Sequence, residues 1–309
     1  MLVTIFGGGG FVGRYVAQEL LARGMRVRIA ERNPGDAMRI KPLGGLGQVQ
    51  LAYANVRDPA SVARAVAGAD AVVNLVAVLD GKLDAINHLG AANVARAAAD
   101  AGIGALVHIS AIGADAGSAS AYGRSKGQGE AAVRVAFPDA TIIRPSVIFG
   151  REDQFTNRFA GMIRMSPIMP VVAPDTKFQP VYVVDVARAI AEAVEHADAH
   201  RGQVYELGGP QVMSMLEMNQ WIAGHIGHDP AIIRVPNFLA ALLANLTGWL
   251  PGAPITSDQW KMLGADNVVA EGAKGLADLG VASTPLAVVA DGWLVRYRKH
   301  GRFSTGAKA

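Results

Sequence analysis

The chain contains no cysteine. Disulfides, thiolate metal sites and cysteine nucleophiles are therefore excluded, and a reducing compartment is the natural expectation. Charge is scarce too. Only 18% of residues are charged and the net charge is +3, too small an excess to point to nucleic acid. No run of about 18 uninterrupted apolar residues occurs, so no membrane-spanning helix is expected. Met1 to Phe6 carry no basic residue ahead of their apolar run and read as a strand rather than a signal peptide. There is no internal repeat and no low-complexity tract. The histidines lack metal-ligand spacing, His225 and His228 being the nearest pair, so no metal is expected.

What the chain has is a rhythm. Its 309 residues are 51% hydrophobic, enough for one large α/β domain with an appended lobe. Short β-rich runs ("LVTIF", "RVRIA", "QVQLAY", "AVVNLV", "ALVHIS", "ATIIR") alternate with alanine-rich helical segments starting near Phe11, Pro59, Leu83, Tyr122 and Asp185. Such alternation implies parallel strands joined by crossover helices, a doubly wound α/β sheet of Rossmann type. Asp58 ahead of Pro59, and Asp185, read as helix N-caps. Residues 1–150 form the expected dinucleotide-binding domain, with strands near 181–184 and 204–207 returning to it. Residues 151–309, richer in Pro, Gly and Met, form a smaller, interleaved α+β lobe for substrate or partner.

Between the first strand and first helix stands "VTIFGGGGFVGRYV", with four consecutive glycines. Gly7, Gly10 and Gly13 give a G-x-x-G-x-x-G spacing where a dinucleotide pyrophosphate rests on helix N–H groups. Gly7 would make the tight turn, Gly10 let backbone approach the phosphates, and Gly13 let the helix pack on the sheet. A flexible turn that binds nothing is the bland alternative. The strand before and the amphipathic helix after favour the dinucleotide.

Further along, "YGRSK" sets Tyr122 one helical turn before Lys126. With the glycine turn, this pair resembles the short-chain dehydrogenase/reductase superfamily in its extended or atypical branch. The resemblance implies that Lys126 lowers the tyrosine pKa and holds the nicotinamide ribose, while Tyr122 passes a proton to a carbonyl. It places Phe11, Val12 and Arg14 at the phosphates, and Asn55 and Val56 at the adenine edge. Leu75, Val76 and Ala77 fall beside ribose and nicotinamide, and Pro145, Val147 and Ile148 against the nicotinamide. Ordinary core and loop packing is the alternative for the apolar ones. The superfamily's third catalytic residue is a serine or threonine after the fifth strand. Here "ISAIGAD" puts Ala111 at the usual serine position. Ser110 either takes its place or ends the strand with its hydroxyl on backbone. The departure puts turnover in doubt and leaves cofactor binding intact.

The segments "RIKPLGGLGQV", "RPSVIFGREDQFTNRFA" and "QPVYVVDVARAI" are similar to the accessory NAD(P)H-binding subunit of respiratory complex I and its bacterial relatives. The likeness runs from Met1 to about residue 215 and returns in "ITSDQWKML" and "LGVASTPL". It implies nucleotide holding first and chemistry second. At the end of the second strand, "RIAERNP" offers Glu31, suited to the ribose 2′-hydroxyl of NAD(H), and Arg32, suited to the 2′-phosphate of NADP(H). Arg14 could reach the same phosphate. NADP(H) is favoured, with NAD(H) the alternative.

The apolar helix in "PNFLAALLANLTGWLPGAP" carries Phe238, Leu239, Leu242, Leu243, Leu246, Trp249 and Leu250. "WLVRYRKHGRF" mixes Arg296, Arg298, Lys299 and Arg302 with aromatics. The two read as a lid with a solvated tail, or as a contact with an anionic membrane. The expected location is the cytoplasm, with the inner face of the cytoplasmic membrane as the peripheral alternative. The first function class is a nucleotide-holding subunit of complex I or a factor acting with quinone-synthesis proteins. The second is a free oxidoreductase or epimerase acting on a carbonyl or quinone-like molecule. A redox-sensing regulator is the third.

Overall fold

The computed structural model describes residues 1–247, 255–299 and 301. It divides into two compact units. The first holds Met1–Pro145, Val183–Leu207 and Ala270–Ala282; the second holds Ser146–Tyr182 and the described parts of Gly208–Val269 and of the chain from Ser283 on.

In the first unit, β1 (Leu2–Phe6), β2 (Arg26–Glu31), β3 (Val49–Tyr53), β4 (Ala71–Asn74), β5 (Ala105–Ile109) and β6 (Thr141–Pro145) pair in parallel. A later strand, Val204–Leu207, adds beside β6. The order across the seven-stranded sheet runs from that strand through β6, β5, β4, β1 and β2 to β3. It is the doubly wound α/β sheet that the rhythm implies. Winding reverses between β1 and β4, so their carboxyl ends open the crevice where ligands of such sheets lie.

The helices of this unit follow local signals. α1 (Phe11–Ala22) follows the glycines, and α2 (Pro59–Val66) starts where Asp58 accepts from the Ala60 amide at 3.1 Å. α3 (Leu89–Asp100) is rich in alanine, which lets it lie close to the sheet. α4 (Ala121–Ala136) is capped by Ser120, which accepts from the Gly123 amide at 3.2 Å. On one face of the sheet Phe6, Val72, Leu106 and Ile142 share a buried core with Val62, Val94, Ala95 and Val133. Elsewhere in this unit the helix Val183–Glu195 packs on α1, and Arg23 bridges Glu192 at 3.1 Å and Glu195 at 2.6 Å. Among the described residues, Glu192, Glu195 and His196 are the one group that could together hold a metal, and Arg23 already engages both of its carboxylates.

Three details differ from the sequence reading. Asp185 is no N-cap: the helix starts at Val183, which puts Asp185 inside the first turn and buried. The helix expected at Leu83 opens instead as a π-turn, Asp84–His88, before α3. Val181–Tyr182 does not return to the large sheet. It pairs with Ile148–Phe149 in the second unit, where Tyr182 stacks on Phe149 with ring centroids 5.5 Å apart. Only two residues remain extended before the helix begins, and aromatic packing decides where they lie. Conversely, Ala270–Ala282, which carries no strand signal, belongs to the first unit. Glu206 donates its amide to the Lys274 carbonyl at 2.8 Å and accepts from the Ala270 amide at 2.9 Å.

The second unit packs the helices Phe155–Met165 and Met215–Ile226 around Phe149, Ile163, Met218, Ile222 and Trp293. The helix Asn237–Thr247 exposes Phe238, Leu239, Leu242 and Leu246 and buries Ala240 and Ala244. Trp249, Leu250 and Arg302 lie outside the described residues, as does the side chain of Leu243. Of the basic residues after Trp293, Arg298 is bound to Asp291 at 2.6 Å and Arg296 to Asn157 at 2.6 Å. These two arginines serve the unit's own structure. Among the described residues, no helix is long and apolar enough to cross a membrane.

Buried charge ties α4 to the sheet. Arg144 on β6 makes a two-pronged bond to Glu130 on α4, at 2.8 and 2.7 Å, and reaches Glu206 at 3.4 Å. Removing one partner strands the other. Glu130→Ala should cost about 2–4 kcal/mol in urea unfolding, below the cost of a wholly enclosed pair because Arg144 keeps some exposure and Glu206. A loss under about 0.5 kcal/mol, as for an ordinary surface change, would contradict this.

Candidate functional site

The site begins where β1 ends. Gly7 has φ +77°, a conformation that side chains disfavour, and its carbonyl accepts from the Gly10 amide at 3.1 Å to close the turn. At Gly13 a Cβ would stand 2.5 Å from the Gly7 oxygen and 2.5 Å from the Gly8 Cα. The backbone of α1 therefore lies directly on the turn. Gly10 is the N-cap and brings no side chain to bond the helix end, and no acidic residue sits in the first turn. The amides of Phe11, Val12 and Gly13 have no intrahelical acceptor, so they form a cradle suited to an anion. Gly9, the remaining member of the run, is held from both sides. Its amide donates to Glu31 Oε1 at 2.7 Å and its carbonyl accepts from Arg39 Nη2 at 2.5 Å.

That arrangement bears on the two residues competing at the end of β2. Glu31 is neither loosely solvated nor free to turn away: one carboxylate oxygen is committed to the glycine turn. Arg32 is exposed, and Arg14 is half-buried in the first turn of α1. Arg39 comes from the 3₁₀ segment Pro34–Leu43, which the sequence reading did not anticipate as structure. Nothing in the spacing marks Arg39 as a neighbour of Gly9.

The switch point brings further residues in. A Cβ on Gly7 would stand 3.3 Å from the Leu75 carbonyl carbon and from the Val76 nitrogen, so the chain leaving β4 lies against the turn. Leu75 donates to the Phe6 carbonyl at 2.9 Å, and Ala77 follows, exposed. Asn55 and Val56 sit in the turn before α2. The Asn55 side chain accepts from the Arg57 amide at 3.1 Å, and the Val56 carbonyl accepts from Asn93 at 2.9 Å.

Tyr122 and Lys126 stand one turn apart on α4 as their spacing implies. Lys126 is buried, and its ammonium donates to the Ile109 carbonyl at 2.7 Å. Burial lowers its pKa to about 8, against the opposing pull of the Glu130 charge. Burial pushes the Tyr122 phenol up to about 12. The resemblance implied the opposite direction for Tyr122, with the lysine charge winning; here desolvation wins. Tyr122 is therefore a phenol at neutral pH, able to give a proton but not to take one.

Of the two alternatives drawn for Ser110, the structure contradicts the one that puts its hydroxyl on backbone. Its hydroxyl is buried and bonded to no protein atom, backbone included. Its amide donates to the Ile143 carbonyl at 2.7 Å, so the strand conformation continues through it. Pro145 closes β6 and accepts from the Ile112 amide at 3.1 Å. Val147 and Ile148 belong to the second unit, the former accepting from the Val181 amide at 2.9 Å and the latter paired with Val181.

One positioning residue escaped the sequence reading. Asn87, on the π-turn, binds both the amide and the carbonyl of Val78 at 2.9 Å and donates to Ser125 at 3.0 Å. It latches the chain after β4 to the helix that carries Tyr122 and Lys126. A buried asparagine in a helical segment has no sequence signal beyond its polarity. The pull of Asn87 and the missing side chain at Gly129, where a Cβ would meet the Asn87 oxygen at 2.2 Å, fit together.

The RmlD substrate binding domain family matches residues 1–238. The chain is 33% identical to the NADH dehydrogenase [ubiquinone] 1 alpha subcomplex subunit 9 of Arabidopsis thaliana, over 97% of this chain and 79% of that protein. It is 34% identical to the subunit of that name from Rattus norvegicus, over 97% of this chain and 81% of that protein. Among solved structures, an NADPH-dependent quinone oxidoreductase from Escherichia coli, complexed with NADPH, superposes with a TM-score of 0.76 at 20% identity, covering 93% of this chain and 97% of that one. The chain belongs to the RmlD-type, extended short-chain dehydrogenase/reductases, in the group of the complex I 39/40 kDa subunit.

The lowered Lys126 pKa has a measurable sign. Native Lys126 loses its proton near pH 8, whereas the unfolded chain keeps it until about 10.5. The unfolded state binds more protons across that window, so stability rises with pH. Between pH 8 and 10 the nucleotide-free protein should gain at most about 2–3 kcal/mol from this group. Above pH 10 the raised Tyr122 pKa acts in the opposite direction. Urea unfolding at pH 7, 8, 9 and 10 should show the rise, and Lys126→Met should flatten it. A wild-type profile as flat as the variant's would contradict the assignment.

Proposed function

We propose, from this membership and from the geometry of the glycine turn, that the chain holds a nicotinamide dinucleotide, NADPH in preference to NADH. In this reading it acts as an accessory subunit of a complex I-like assembly or as a quinone-related assembly factor. The observation that carries the reading is the uncapped first turn of α1. Its Phe11, Val12 and Gly13 amides are without intrahelical acceptors, and no acidic side chain stands in that turn. The bound dinucleotide supplies a hydride; everything else falls to the chain. The Lys126 ammonium, with one protein acceptor, keeps donors for ribose hydroxyls. Leu75, Val76 and Ala77 line the neighbouring wall.

The preference for NADPH rests on charge. Glu31 is spent on the Gly9 amide, and Arg39 already lies at the Gly9 carbonyl. Exposed Arg32 follows Glu31 at the end of β2 and half-buried Arg14 lies in the first turn of α1, and planar guanidinium groups suit a phosphate dianion. Holding rather than turnover is favoured by Ala111, which brings no hydroxyl to the usual serine position. The names of the mitochondrial relatives support an association with the ubiquinone-linked respiratory complex.

A second reading, an oxidoreductase acting on a carbonyl or quinone-like molecule, is favoured by one observation. Tyr122 stays protonated at neutral pH beside Lys126, ready to deliver a proton. Titration with NADPH and NADH followed by fluorescence tests the cofactor preference, and NADPH oxidation with ketones or quinones separates the two readings. NADPH should bind more tightly, and Arg32→Ala should weaken it by about 1.5–3 kcal/mol while leaving NADH nearly unchanged. Tyr122→Phe should leave NADPH affinity intact. Equal or tighter NADH binding would overturn the preference, and brisk turnover abolished by Tyr122→Phe would install the second reading.

A further inference from the structure

Beneath the carboxyl end of the sheet lies a polar set that the proposed function does not use. Asn74 ends β4, and His108 stands opposite it on β5 in the ladder register. Both are buried, and their side chains meet with Asn74 Nδ2 3.2 Å from His108 Nδ1. Donor and acceptor roles here can be worked out. Asn74 Oδ1 accepts from the Val76 amide at 3.2 Å, so its NH₂ is the end turned to the histidine. An NH₂ only donates, so Nδ1 must accept, and a neutral imidazole then carries its proton on Nε2. Burial and the nearby Lys126 charge both oppose a second proton on the ring. The Nε2–H is thus an enclosed donor, and the structure gives it no protein acceptor.

Two residues along the strand, Ser110 Oγ is the other enclosed polar atom with no protein partner on this strand. The Ser110 amide continues the β5–β6 ladder, so His108 and Ser110 sit on the same face of an extended chain, about 7 Å apart along it. The two atoms make no direct bond to each other, and two orphaned polar groups on one face of an extended chain are the partners that an enclosed bridging water needs. Two unpaired buried groups side by side would otherwise each carry an uncompensated desolvation cost.

We propose that Asn74, His108 and Ser110 form a one-way hydrogen-bond chain, closed by one internal water, that makes the Ser110 hydroxyl a donor at the carboxyl end of β5. The order runs from the Val76 amide to Asn74 Oδ1, from Asn74 Nδ2–H to His108 Nδ1, and from His108 Nε2–H to the water. The water donates to Ser110 Oγ, whose own hydrogen is then left to point onward. Every member has one direction fixed by its neighbour, and bonds in such a chain strengthen one another. His108 is a positioning residue acting through Ser110. Where a reacting or carboxamide oxygen lies near β5, a point that rests on the dinucleotide reading, Ser110 would supply the donor that Ala111 lacks.

The chain itself can be tested on the nucleotide-free protein, so its failure is distinct from failure of nucleotide binding. In protein labelled with ¹⁵N-histidine, the His108 resonances should report the Nε2–H form, with an imidazole proton slow enough in exchange to be seen. Ser110→Ala should shift that proton and speed its exchange at least about tenfold, whereas Ser110→Thr, which keeps the hydroxyl, should restore the wild-type signal. A crystal structure should place one water within hydrogen-bond reach of both His108 Nε2 and Ser110 Oγ. An Nδ1–H tautomer, or an Nε2–H signal indifferent to Ser110→Ala, would overturn the proposal.

Discussion

The structure turns on a backbone-to-backbone contact. At Gly13 the first helix lies so close to the Gly7–Gly8 turn that no side chain can intervene. This contact sets the angle at which α1 leaves the sheet, and with it the aim of the three uncapped amides. It also forces the turn tight enough for Gly9 to be gripped by Glu31 and Arg39. Loosening it would cost more than packing, because the cradle and the charged residues around it share one short piece of chain.

From that point the arrangement spreads through polar bonds that are mostly enclosed. Asn87 joins the loop after β4 to α4. Lys126 reaches from α4 to β5, and Glu130, one turn on, binds Arg144 on β6. Such bonds are costly to leave half-made, so they specify one relative placement of helix and strands. The same enclosure shifts the ionisable groups. Desolvation moves Lys126 down and Tyr122 up, so it works against the Lys126 ammonium and keeps Tyr122 a phenol that gives rather than takes a proton.

The parallel strands are legible from the alternation of β-rich and alanine-rich runs because the central strands β1, β4, β5 and β6 are buried on both faces and each crossover needs a helix. Gly7 and Gly13 are legible because a left-handed turn and a backbone contact exclude a side chain there, and Gly10 by its spacing between them. What was not legible depends on contacts far apart in the chain. Val181 carries a good strand pattern, yet stacking of Tyr182 on Phe149 takes it to the second unit. Ala270–Ala282 carries no strand pattern, yet it is bonded to Glu206. Asn87, Arg39 and His108 look like ordinary polar residues until the fold supplies Val78, Gly9 and Asn74. Asp185 has the residue type of a cap, but the helix starts two residues ahead of it, at Val183.

The central claim is that the first turn of α1 receives the phosphates of a dinucleotide, and amide hydrogen exchange read residue by residue, with and without saturating NADPH, tests it most directly. The account predicts added protection at Phe11, Val12 and Gly13, with a smaller gain at Leu75–Ala77. Tight NADPH binding that leaves the Phe11, Val12 and Gly13 amides as exchangeable as before would contradict it.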